Sequence, residues 1–173
     1  MLWILTAFAS EVTVSAQAGL YAPRSALRAG PVLGLSSAFS PEVASGRLRA
    51  GLQWSWATGS GEGVVEGAPW TAREHHLAGL AEVGARALPR QAPVSPELVL
   101  AVGVQRVHAV VDSPGGRMID RSWTPVARAG PALAVDVGSG RLTLQALVQL
   151  QPPSLGASSG LALVPAATWS LVR

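Results

Sequence analysis

The chain contains no cysteine, which excludes disulfides, thiolate metal sites and cysteine nucleophiles. Lysine and asparagine are also missing. All 13 basic residues are arginine, set against 10 acidic ones for a formal charge of +3. No basic stripe interleaved with aromatics occurs, so no nucleic-acid partner is expected. Charged residues make up 13% of the 173, about half the share of an ordinary soluble domain. A surface meeting water on all sides wants roughly 25–35%. Long apolar runs are absent too, although 49% of the residues are hydrophobic. Nothing approaches the ~20 consecutive apolar residues of a spanning helix. Such a chain is poorly equipped to be solvated all round, and it cannot cross a membrane as a helix.

What the chain does have is period-two alternation. In Leu48-Arg49-Ala50-Gly51-Leu52-Gln53-Trp54-Ser55-Trp56, one parity is apolar and the other polar. A strand turns successive side chains to opposite faces. In a soluble protein the apolar face would be the core. In an outer-membrane barrel the apolar face meets lipid and the polar face fills the lumen. The low charge favours the second assignment.

Seven further segments read the same way, and together they predict strands over Val12–Ala22, Ala29–Ser40, Arg47–Ala57, His75–Leu88, Glu97–Val111, Thr124–Val137, Arg141–Leu150 and Leu161–Val172. Both faces of the fifth are largely apolar, which leaves its phase open. The connections alternate in length, with long loops expected at Thr58–Glu74 and Asp112–Trp123 and a tight turn at Gly138-Ser139-Gly140. Short periplasmic turns and long external loops are the habit of bacterial outer-membrane barrels. Arg28-Ala29-Gly30-Pro31 recurs as Arg128-Ala129-Gly130-Pro131, and Ser45-Gly46-Arg47-Leu48 as Ser139-Gly140-Arg141-Leu142. This echo fits either duplication of a four-strand half or convergent strand chemistry. Residues 1–9 end in Ala7-Phe8-Ala9, an A-x-A pattern, and are expected to be a truncated signal peptide or a disordered start. A single barrel domain is expected over 10–173.

The predicted inward faces collect Arg49, Gln53, Glu82, Arg86, Arg128, Asp136, Gln145 and Gln149. Eight-stranded barrels are too narrow for an open pore, and buried charges must be paired, so these residues are expected to form a polar network that plugs the lumen. Trp54, Trp56 and Trp123 lie at the external ends of their segments and Trp169 near the periplasmic end, as in interface girdles. The competing reading makes them core tryptophans of a soluble barrel. His75, His76 and His108 are expected at the external rim without chemistry. A metal site, or catalysis with Ser113 or Ser122, is the alternative. Gly59-Ser60-Gly61-Glu62-Gly63 sits in a predicted loop, so it is no phosphate-binding motif.

With alternating strands, an Arg/Glu/Gln lumen and terminal tryptophans, residues 12–173 resemble the small eight-stranded outer-membrane barrels of the OmpA/OmpX kind. The resemblance is one of pattern. It implies an all-β, eight-stranded antiparallel up-and-down transmembrane β-barrel in the bacterial outer membrane, with membrane lipid around it and external loops free to meet a protein partner. Such barrels usually end in an aromatic residue, whereas this chain ends Thr168-Trp169-Ser170-Leu171-Val172-Arg173. No cofactor, metal or catalytic residue is expected. The leading expectation is a non-enzymatic membrane anchor, adhesion or assembly component. A lipid-modifying barrel enzyme with rim histidines and a soluble periplasmic barrel for an apolar ligand are the alternatives.

Overall fold

Period-two alternation becomes one antiparallel sheet closed on itself. The structure, a computed structural model, describes residues 9–24, 27–41, 47–88, 92–153 and 160–172. The strands are β1 (Ala9–Pro23), β2 (Gly30–Pro41), β3 (Leu48–Val65), β4 (Ala68–Arg86), β5 (Val94–Ser113), β6 (Gly116–Val137), β7 (Gly140–Leu150) and β8 (Leu161–Val172). Each pairs with its neighbours in chain order, and β1 pairs with β8 to close the ring. The predicted leader segment falls mainly on residues 1–8, outside the described residues. Followed once around the barrel, the registers accumulate a stagger of about ten residues, which tilts the strands roughly 35–45° from the axis.

The predicted faces of β1–β4 and β6–β8 are the observed ones. Leu48, Leu52, Trp54 and Trp56 point out of the barrel, while Gln53 and Ser55 are buried within it. In β5 the phase is now fixed. Leu98, Leu100, Val102 and Val104 face outward; Ser95, Glu97, Val99, Ala101 and Gln105 face inward. The lumen is therefore not purely polar. Tyr21, Val32, Val99, Leu147 and Val164 pack into an apolar cluster inside it.

Two predicted loops are strands. The ladder of β3 with β4 runs from Leu48↔Ala85 out to Val65↔Ala68, and that of β5 with β6 ends at Ser113↔Gly116. The expected loops at 58–74 and 112–123 are instead the ends of strands of 18, 19, 20 and 22 residues, against 11 to 15 in the other four. The outer ends of β3–β6 therefore run past the other four strands as a four-stranded sheet, longer than the about 9–11 tilted residues that a membrane crossing takes. Its first hairpin closes through Glu66 (φ 52°) and Gly67 (φ 81°), the left-handed pair that a two-residue hairpin turn demands. The glycines that looked like a loop have a packing role. A side chain on Gly63 would lie 2.8 Å from the indole nitrogen of Trp70 on the paired strand.

The sequence echo does not carry over to side-chain placement. Arg28 is exposed and pairs with Glu62, whereas Arg128 is buried in the lumen.

Candidate functional site

Parity sorts the functional candidates onto two surfaces, the lumen and the outer wall. Near the end of the lumen away from the long hairpins, Arg49 of β3, Glu82 and Arg86 of β4 and Glu97 of β5 form an alternating cluster. Arg49 donates to Glu82 through Nη1 and to Glu97 through Nε (3.2 Å), and Arg86 Nε donates to the other Glu97 oxygen at 3.0 Å. Two guanidiniums and two carboxylates balance one another, which meets the requirement that buried charge be paired and hydrogen-bonded. Asp136 lies at the rim rather than in the lumen. Its carboxylate is 43% exposed and accepts from Arg141 Nε at 2.6 Å. It sits on the last rungs of the β6–β7 ladder, beside the Gly138 turn, so shared parity with Arg128 does not bury it.

The remaining predicted residues lie further in. Gln53 donates to Gln17, and Gln145 to the Thr168 hydroxyl at 3.3 Å. Arg128 Nε donates to Gln149 at 2.8 Å. Gln149 and Gln105 both donate to the Gln151 carbonyl, at 2.5 and 2.6 Å, and Gln151 Nε2 donates to the Tyr21 hydroxyl at 3.2 Å. Amides suit such a chain because each offers a donor and an acceptor. The space left among Ser15, Arg49, Glu82, Gln145 and Thr168 is about 20 Å³, room for about one water.

Sequence reasoning missed Glu97, Gln105, Arg141, Gln151 and the pair Glu74 and His76. Glu97 and Gln105 lie on the strand of ambiguous phase, where only their shared parity carried a signal. His76 is a correction. It is not at an exposed rim but 2% exposed inside the barrel, with Nε2 3.1 Å from Glu74 Oε2 and its ring 4.9 Å from that of Tyr21. His75, one residue earlier, faces outward. Its ring stacks 6.3 Å from that of Trp56 and lies 6.4 Å from that of His108, its cross-strand partner. The serines considered as nucleophiles are engaged locally. Ser113 donates to the Gly116 carbonyl across its turn, and Ser122 to Asp120. Among the described residues no group of three His, Cys, Asp or Glu could hold a metal.

Trp54, Trp56, Trp123 and Trp169 all face out of the barrel, which argues against a soluble barrel with these indoles inside. Trp54 is 62% exposed and Trp123 68%. Trp56 and Trp123 share one row of the outer wall through Leu77 and Arg106, and Trp169 lies near the opposite end. Between these levels the wall is apolar, with Leu35, Leu52, Leu98, Val102, Leu144 and Leu163 exposed. An apolar band flanked by rows of indoles is the pattern expected of a lipid-facing surface. In single-tryptophan variants reconstituted with brominated lipid, Trp54 and Trp123 fluorescence should be strongly quenched. Trp70, packed with Leu27 and Ala72 on the projection, should respond little. Equal quenching of all three would contradict this placement.

No protein-family model and no curated protein matches the chain. Solved structures do. A major outer membrane protein from Thermus thermophilus superposes with a TM-score of 0.68 at 13% identity, covering 94% of this chain and 99% of that one. Neisserial surface protein A gives 0.56 at 14% identity, covering 92% and 96%. The N-terminal β-barrel domain of Pseudomonas aeruginosa OprF gives 0.52 at 11% identity, covering 93% and 97%. At such identities the likeness is one of fold. The architecture is that of the small bacterial outer-membrane β-barrels.

Proposed function

We propose that the protein is a non-enzymatic outer-membrane β-barrel whose lumen is plugged by its polar network. It would serve as an anchor, adhesion or assembly component, presenting the outer ends of β3–β6 as a platform for a protein partner. The observation that carries the reading is the contrast between the two sides of one wall. Exposed Leu, Val and Trp cover the outside of the sheet, while ion pairs and amides fill the inside. That is the inverse of a soluble barrel. The packed lumen argues against transport of solutes. The projecting sheet, stiffened by its full hydrogen-bond ladders, supports a role in contact outside the membrane.

Expressed in a Gram-negative host with an export signal, the protein should fractionate with outer membranes. Its band on gels should shift on heating, as expected of a barrel that stays folded in detergent until heated. Recovery as a soluble monomer without detergent would sink the proposal. Binding to cells or matrix that persists after the outer ends of the β3–β4 and β5–β6 hairpins are shortened would overturn the platform role while leaving the membrane barrel standing.

A further inference from the structure

The outward face of β3–β6 changes character just beyond Trp56 and Trp123. The row containing these indoles reads Trp56, Leu77, Arg106, Trp123; the next outward reads Thr58, His75, His108, Arg121; the next Ser60, Arg73, Val110, Ile119. Three arginines and two histidines thus share a contiguous patch with no acidic residue in it. Elsewhere on the projection, positive charge is matched. Arg28 pairs with Glu62 at 2.6 Å and Arg117 with Asp112 at 3.3 Å. Among the described residues, Arg73, Arg106 and Arg121 have no such carboxylate, and His108 Nε2 has no partner. Like charges on neighbouring cross-strand positions repel, so the arrangement calls for an external anion.

Directly below the patch, on the lipid side, lies a surface groove of about 370 Å³ lined by Leu52, Trp54, Leu77, Gly79, Val104 and Trp123. Its floor is open because Gly79 has no side chain; one placed there would meet the Trp54 ring at 3.0 Å. A cationic patch at interface depth, continuous with an apolar groove beneath it, matches an amphiphile with an anionic head and hydrocarbon tails. A soluble anion would use the patch and leave the groove unexplained.

We propose that this face binds a phosphate-bearing membrane lipid, one acyl chain lying in the groove between Trp54 and Trp123 and the phosphate held by Arg73, Arg106 and Arg121 beside His75 and His108. Arginine suits the role because its planar fork of donors matches phosphate oxygens. The inference rests on the membrane-barrel reading above. In the test, the barrel is refolded in dodecyl maltoside, a detergent without phosphate, and titrated with bisphosphorylated diglucosamine lipid (lipid A). Binding is followed by tryptophan fluorescence and by native mass spectrometry of the retained lipid.

Each of R73Q, R106Q and R121Q should weaken binding about fivefold, following the usual contribution of a basic residue at an anionic surface. R117Q, outside the patch, should have no effect. The dephosphorylated lipid should bind more weakly than lipid A, and millimolar inorganic phosphate should not displace lipid A. Unchanged affinity in all three variants would overturn the site, as would full displacement by inorganic phosphate. Insertion of the same variants into phosphatidylcholine vesicles tests the membrane reading separately. Failure to insert condemns that reading, whereas insertion with unaltered lipid binding condemns only the site.

Discussion

Replacing Glu97 with alanine is expected to lower the unfolding free energy by about 3–5 kcal/mol, the usual cost of removing one partner from a buried ion pair. Glu97 is 6% exposed and accepts from both Arg49 and Arg86. Without it the cluster of two guanidiniums and two carboxylates becomes one of two against one. The excess positive charge lies in a largely buried interior, where an uncompensated ion is costly. The urea midpoint of the refolded barrel and the temperature of its gel shift both read the effect. Glu62→Ala supplies the contrast. It removes a still shorter pair, at 2.6 Å, whose side chains are 73% and 62% exposed, and should cost about 1 kcal/mol or less. The double variant Arg86→Met/Glu97→Leu should lose less than its two single changes summed, because an apolar pair of similar volume needs no counter-charge. If Glu97→Ala costs no more than Glu62→Ala, the cluster does not hold the barrel together.

Most of the barrel was legible in the sequence because lipid and lumen impose opposite demands on alternate residues. In β7, Leu144, Ala146, Val148 and Leu150 alternate with Thr143, Gln145 and Gln149, and period and phase follow at once. Legibility failed where one demand was relaxed. In β5 the lumen takes Val99 and Ala101 into its apolar layers, so both faces look alike and Glu97 and Gln105 went unassigned. Beyond the lipid the outer face no longer needs apolar residues, and Gly59-Ser60-Gly61-Glu62-Gly63 has the composition of a loop while its backbone pairs as a strand. His75 and His76 show the same principle at the scale of one residue. Their parity relative to Leu77 puts His76 inside and His75 outside, although both lie toward the outer end of β4. The partner of a projecting sheet leaves no such signature, since partner recognition depends on which side chains happen to be exposed there and not on a repeat.

Replacing Val102 with arginine is the sharpest test of what surrounds the wall. Val102 is 52% exposed and lies between Leu98 and the Arg106 level on β5, near the middle of the apolar band. If that band meets water, an exposed valine-to-arginine change should shift stability by no more than about 0.5 kcal/mol. If it meets hydrocarbon, the guanidinium must be carried to mid-membrane, at about 2–4 kcal/mol. Val64 serves as the internal reference. It is 67% exposed, points to the same side of the sheet and lies at the tip of the β3–β4 hairpin, well past the Trp56 level. Val64→Arg should be nearly neutral. Measured by urea unfolding from phosphatidylcholine vesicles, the two variants should differ by at least about 2 kcal/mol, although accessibility alone would rank Val64 as no less exposed. Depth in the membrane separates them, since the same substitution at two exposed valines is costly only where the solvent cannot hydrate a charge. Equal effects at both sites would mean that water surrounds the whole barrel, and the apolar wall would then need another covering.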